Sequence, residues 1–292
     1  MRVRITLAII LGIICRIHAF GAVWHVPEDY PKIQWAIDTA AEGDEIIVGT
    51  GLYEENVQFK GKNITLRSTD PASSDTVNNT IIDGGVIGSV ITFAGTESAS
   101  CCLAGFTIKN GQSANGGGIM GKGTKATIQD NVITSNSAIG TDYYVGMGGG
   151  IGSCQGVIQR NVITNNVAQQ MGGGIYNCNW IIQNNTISDN KSKGYGGGLS
   201  NCHGLIQNNT ISSNNTSYMG GGIYYCHGII QNNLILKNEA SHGGGISYSN
   251  GLIQSNVIRE NNARWSGGGL YDCEGYIRNN LILGNRAYEG GG

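Results

Sequence analysis

Asp272 and Glu274 flank Cys273 in the run Tyr271-Asp272-Cys273-Glu274. Alternate residues of an extended strand share a face, so both carboxyls are expected to point outward. Glycoside hydrolysis needs two such groups roughly 5 to 9.5 Å apart, one to protonate the leaving oxygen and one to act as nucleophile or base. With Arg278 they form the one local set that could serve a lyase, in which carboxylates hold calcium and a Lys or Arg side chain in its neutral form acts as the base. A solvated surface pair has the same sequence and is the plainer expectation, leaving Asp272 and Glu274 weak catalytic candidates. Asp189 and Glu260 share a repeat position but lie three repeats apart, about 14 Å at strand spacing, too far to cooperate. His203 and His227 each stand in Cys-His-Gly, yet the same position holds Gln155, Asn179, Asn250 and Glu274, which points to an exposed structural position.

The aromatic residues suggest binding instead. Tyr176, Tyr224 and Tyr271 fall at one repeat position and Tyr225 and Tyr248 at the next, while Tyr195, Tyr218, Trp265 and Tyr288 precede glycine runs. A flat row of rings on a rigid face stacks on the sugar rings of a polysaccharide, although tyrosine is also simply favoured in strands. Tyr176, Tyr224, Tyr225, Tyr248 and Tyr271 are therefore the expected ligand-binding residues. Cys154, Cys178, Cys202, Cys226 and Cys273 share a position interrupted by Ser249. Neighbours one strand spacing apart are within reach of a disulfide but poorly directed for one, and a line of thiols is a poor tetrahedral site. They read as small buried thiols, and no metal or cofactor is expected.

These positions are comparable because the chain repeats. Gly-Gly-Gly begins at Gly116, Gly148, Gly172, Gly196, Gly220, Gly243, Gly267 and Gly290, so after one longer unit the step is 23 or 24 residues. So short a unit buries no core alone and must stack on its neighbours. Apolar residues do not recur at helical spacing, and helix formers are scarce. Ile158, Ile182, Ile206, Ile230, Ile253 and Ile277 make one apolar column; Ile163, Ile187, Ile211, Ile235, Ile258 and Ile282 make a second. Ile151, Ile175, Leu199, Ile223, Ile246 and Leu270 make a third. Three columns predict three short strands per turn, stacked at about 4.8 Å, in an all-β right-handed parallel β-helix with about 24 residues per coil.

Two asparagine columns, Asn131 to Asn280 and Asn136 to Asn285, run through the same units five residues apart. Asn tolerates left-handed geometry and offers donors and an acceptor, so structural ladders are expected. The glycines supply tight corners. A phosphate cradle is disfavoured because no Lys-Ser/Thr follows any triplet.

The Gly-Gly-Gly-Ile corner and the Ile-x-x-Asn element, as in Ile187 to Asn190 and Ile235 to Asn238, resemble the pectin-lyase-like right-handed β-helix proteins, in particular exported repeat proteins of that type. They are also distantly similar to repeats of chlamydial polymorphic outer-membrane proteins. The resemblance covers nearly all of the chain after its leader and implies the fold. For activity it implies little, since such proteins include lyases, hydrolases, esterases and surface proteins without catalysis. The further motifs of polygalacturonases and the Asp, Gln and Arg of pectin methylesterases have no match here.

The start, Met1-Arg2-Val3-Arg4, then an apolar run over 5–15 and small Ala19, Gly21 and Ala22, has the anatomy of a secretory signal peptide over 1–22. The run is too short to span a bilayer. A lipoprotein reading through Cys15 is disfavoured by the bulky Ile14 before it. Residues 31–41, with Pro31 at the start, Ile33, Ile37 and Ala40 on one face and Gly43 beyond, predict a short helix. Its expected role, by the same resemblance, is to plug the first coil, whose apolar core and strand edges would otherwise be bare. Strand-like runs at 63–66, 80–82, 90–93 and 105–108 predict irregular coils over 23–115 before the regular ones at 116–292, all in one domain. The final Gly290-Gly291-Gly292 opens another coil, so a longer protein is expected. The loop at 139–147, with Tyr143 and Tyr144, is expected to protrude and carry function.

A net charge of −2 with 13% charged residues provides no basic footprint for nucleic acid. Two function classes follow. The first is an exported β-helical surface scaffold, adhesin-like and able to contact polysaccharide or cell-surface glycan. The second, a polysaccharide lyase or glycoside hydrolase, draws on fold analogy alone.

Overall fold

The computed structural model describes residues 21–140 and 145–292. The signal-peptide reading at 1–20, including Cys15, and the loop tyrosines Tyr143 and Tyr144 lie outside them. The described chain winds into a right-handed parallel β-solenoid of about 11 turns with about 24 residues per turn. In the turn that begins at Gly172 the strands are Ile175–Tyr176 (sheet I), Ile181–Gln183 (sheet II), Thr186–Ser188 (sheet III) and Lys191–Ser192 (sheet IV). Stacked over the turns they make sheets of nine, eleven, ten and seven strands, all paired in parallel.

The expectation of three strands per turn is thus corrected to four in the regular coils. The three apolar columns do line the tube, with Ile151 to Ile246, Ile158 to Ile253 and Ile163 to Ile258 fully or almost fully buried. The fourth strand escaped because its inward residue is small: Ala138, Ala168, Ser192, Thr216, Ala240 and Ala263, all buried. No hydrophobic column marks it. Backbone pairing makes it a strand.

The asparagine columns sit at the corners between sheets II and III and between sheets III and IV, and almost every member is buried. Asn190 shows the pattern. Its Nδ2 donates to the Ile163 carbonyl of the coil below at 2.8 Å and to Asn214 Oδ1 of the coil above at 3.0 Å. Its own Oδ1 accepts from the backbone N–H and the Nδ2 of Asn166, both at 3.0 Å. Each asparagine therefore bonds both neighbouring coils through groups that would otherwise be stranded inside a bend. The left-handed turn falls one residue earlier than expected: Asn184 and Asp189 carry φ of 56°, not the ladder residues Asn185 and Asn190.

The glycine triplet has two uses. Gly172 takes φ of 65°, which only glycine adopts freely. A Cβ on Gly173 would come 2.5 Å from the carbonyl oxygens of both Gly197 and Lys191. The second glycine thus exists for close approach between coils.

The predicted plug is a seven-residue helix, α1 (Ile33–Thr39), shorter at both ends than 31–41. Ile33, Ala36 and Ile37 are buried in the core beside the first strands of the solenoid. A helix this short is marginal alone, and its ends are held from outside. Glu55 accepts from the N–H groups of Ile33 and Gln34 at 2.9 and 3.0 Å. Lys62 Nζ donates to the carbonyls of Ile37, Asp38 and Ala40. Both charges oppose the helix dipole. A second helix, α2 (Ser74–Asn79), was not foreseen; Ser73 caps it by accepting from Thr76 N–H. The anticipated early strands appear as Thr65–Ser68, Thr80–Asp83, Ile91–Thr92 and Thr107–Lys109. Among the described residues no helix is long and apolar enough to cross a membrane.

Replacing Asn190 with Ala strands the Asn166 N–H and the Ile163 carbonyl in a buried bend, so Asn190→Ala is expected to destabilise the protein by about 3 kcal/mol in denaturant unfolding. Gln207→Ala, on the outer face of sheet II, is expected to cost no more than about 1 kcal/mol.

Candidate functional site

Sheet I and the corner after it carry the aromatic residues singled out in the sequence. Outward positions of sheet I read Gly152, Tyr176, Ser200, Tyr224, Ser247 and Tyr271 in hydrogen-bonded register. The next position, a left-handed corner, holds Tyr225 and Tyr248 with φ of 53° and 52° and Asp272 with 49°. Bulky side chains rarely accept that geometry, and here the corner directs them onto the same face. Tyr195, at the bridge preceding its glycine triplet, joins from the other side.

The rings form one array. Tyr195 stacks on Tyr224 at 4.8 Å and on Tyr218 at 5.6 Å. Tyr224 and Tyr248 lie 6.0 Å apart, Tyr248 and Tyr271 5.9 Å, and His242 stands 5.0 Å from Tyr271. The Tyr195–Tyr224 separation equals the coil spacing, so these two rings face one another along the axis rather than lying flat in a row. Tyr218 and Tyr225 are the most exposed rings of the array, and Tyr195, Tyr224, Tyr248 and Tyr271 are half-buried. The open space in the array is a cleft of about 280 Å³ lined by Met171, Tyr176, Ser200, Asn201, Tyr224 and Tyr225. The structure therefore brings together all five tyrosines proposed from sequence.

Histidine contributes structure to this face. His203 and His227 stack with centroids 5.2 Å apart and planes 5° from parallel. The backbone N–H of His227 donates to His203 Nδ1 at 3.2 Å, and that of Asn250 donates to His227 Nδ1 at 3.1 Å. Asn179 Oδ1 accepts in the same way from His203 N–H, and Asn250 Oδ1 from Glu274 N–H. Any side chain with an acceptor at the right reach serves this column, which explains its mixed composition. A ring that accepts at Nδ1 must be neutral, since only one ring nitrogen then carries a proton; burial, then the neighbouring His227 imidazole, lowers the His203 pKa from 6.5.

The cysteine column is inward, as expected. Cys154, Cys178, Cys202 and Cys226 are buried, and every cysteine among the described residues is free. Cys154 N–H donates to Cys178 Sγ at 3.3 Å, and the pattern repeats up to Cys226 N–H on Ser249 Oγ at 3.1 Å. Burial pushes Cys178 and Cys226 well above the ordinary 9.0. Thiols of that kind are not nucleophiles.

The carboxylate candidates Asp272 and Glu274 follow the strand Leu270–Tyr271 of sheet I. Asp272 lies close enough to Tyr248 that its carboxylate, with some burial, raises the phenol pKa above 10.0. Glu274 is exposed. Arg278 turns to Gln254 Oε1 at 3.0 Å, extending an outer ladder of Gln129, Gln159, Gln183, Gln207, Gln231 and Gln254. It forms no ion pair with either carboxylate among the described residues. Glu260 pairs with Arg259 and Lys237, away from Asp189. No cluster of three or more His, Cys, Asp or Glu side chains that could hold a metal ion occurs among the described residues.

Sequence reasoning did not single out the part of Ser200, Ser247 and His242 in the face. The signal was present as the alternation of Tyr with small residues down the sheet I column. Nor did it mark the outward apolar row Val157, Ile181, Leu205, Ile229 and Leu252 beside the glutamines. No protein-family model, curated protein or solved structure matches the chain, so the site is read from its own geometry.

Because His203 is neutral when folded and its folded pKa lies below the unfolded value, its contribution is intact above about 6.5. It is lost as pH falls through the lowered folded pKa. Melting temperature is therefore expected to drop on acidification from pH 7 to 5, and His203→Asn, matching Asn179 and Asn250 in the column, is expected to flatten that drop.

Proposed function

We propose that this protein is an exported, non-catalytic β-helical scaffold of the pectin-lyase-like type, adhesin-like in use, whose sheet I face binds polysaccharide at a cell surface or outside the cell. One observation carries the reading. Aromatic side chains from successive coils converge on one face and border a cleft, while the cores of those coils remain uniform. Aromatic rings with exposed edges and hydroxyls offer sugars both C–H contact and hydrogen bonds. The rigid stacking of coils fixes their spacing before a ligand arrives, which lowers the entropic cost of binding. Export is proposed from the leader-like sequence at 1–22.

The lyase or hydrolase alternative needs Asp272 and Glu274 to act together with a base. Asp272 neighbours Tyr248, and Arg278 donates to Gln254. No observation in the structure favours it.

The test is a screen of the folded chain against neutral and acidic polysaccharides, following binding and the release of reducing or unsaturated ends. Binding without turnover is expected, with Tyr224→Ala/Tyr225→Ala weakening it by about tenfold or more and Asp272→Asn/Glu274→Gln leaving it unchanged. Turnover abolished by the carboxylate substitutions contradicts the scaffold reading.

A further inference from the structure

Sheet I departs from the uniformity of the other sheets. Tyr176, Tyr224 and Tyr271 stand two coils apart, and the intervening coils place Ser200 and Ser247 in register between them. Both serines are fully buried beneath the neighbouring side chains. Their hydroxyls have no hydrogen-bond partner, and neither does the buried Nδ1 of His242, whose ring lies tilted 5.0 Å from Tyr271. Four such side-chain atoms occur among the described residues, and three belong to this face. Elsewhere, Ser68 apart, buried polar side chains of the described residues find partners in the ladders or in backbone carbonyls, so unpaired groups gathered on the aromatic face mark places where a partner is missing.

We infer that the ligand is a linear, neutral polysaccharide with a two-sugar repeat, lying along the solenoid axis. One sugar sits over Ser200 between Tyr176 and Tyr224, and its equivalent sits over Ser247 between Tyr224 and Tyr271. This rests on the polysaccharide-binding reading and adds orientation, register and charge to it. Two coils measure about 9.6 Å, the scale of a disaccharide in an extended chain with a two-fold screw. Alternate sugars of such a chain present the same face, as alternate coils present the same side chain. Tyrosines supply contact to ring C–H groups, and a sugar hydroxyl entering between them gives each serine its missing bond. The cleft over Ser200 is lined by Met, Tyr, Ser and Asn side chains without a charge, which suits a neutral chain rather than a uronate.

The experiment is calorimetric titration of the folded chain with β-1,4-linked glucose and N-acetylglucosamine oligomers, from dimer to hexamer. Affinity is expected to rise in two-sugar steps. Ser200→Ala and Ser247→Ala are each expected to weaken binding of the longer oligomers about tenfold, the worth of one hydrogen bond. Neither should lower the melting temperature, because alanine only removes an unpaired hydroxyl. Binding that grows evenly with each sugar, or that ignores both serines, overturns the register and leaves the tyrosine face as the site. Binding confined to acidic oligomers overturns the neutral-chain assignment. A lowered melting temperature in Ser200→Ala shows the hydroxyl to be part of the fold and overturns the inference. Absence of binding by every oligomer and polysaccharide overturns both this inference and the reading beneath it.

Discussion

The buried asparagine side chain, bonded to the coil below and the coil above at once, is the constraint on which the rest depends. Coils of about 24 residues must bend sharply between very short strands, and each bend leaves backbone groups facing a dry interior. Unsatisfied, those groups would cost more than the apolar columns could offset. Two asparagine ladders answer both corners beside sheet III. With the corners fixed, register follows: each apolar core residue of the regular coils lies over another of its own column, and each outward side chain over its counterpart.

That enforced register turns sequence columns into surfaces. A residue type placed once per coil becomes a line at strand spacing, and one placed every second coil becomes a line at twice that spacing. The Gln ladder is the first case. The Tyr and Ser alternation of sheet I is the second, and it is the least uniform part of the exterior. The histidine and cysteine columns show the limit of reading chemistry from such lines. Their groups accept backbone N–H bonds from the next coil, and Asn or Ser can replace them.

Most of the fold was legible because its signals are periodic. The three apolar columns, the asparagine ladders, the inward thiols and the short helix near residues 31–41 followed from residue type and spacing, while the helix's plugging role followed from the resemblance to β-helix proteins. The fourth strand was not legible because a strand closed by Ala, Ser or Thr has no hydrophobic signature and is set by pairing with its neighbours. Helix α2, six residues long, is too short for periodicity and depends on the Ser73 cap. The five tyrosines were visible as columns, but the tilted ring contacts among them were not, since ring orientation is set by corner geometry at Tyr225 and Tyr248. Asp272 and Glu274 were legible as an alternating pair, whereas the nearness of Tyr248 to Asp272 and the bond from Arg278 to Gln254 were not.

If the ladders enforce register, coils are interchangeable units, and deletion of the whole coil 196–219 from the chain is the most direct trial. Circular dichroism and thermal melting of the shortened protein should show an intact parallel solenoid, because Asn190 then meets Asn238 and Ile187 meets Ile235. Deletion of 196–207, half a coil, should abolish cooperative melting. Equal loss of structure in both proteins would contradict the account.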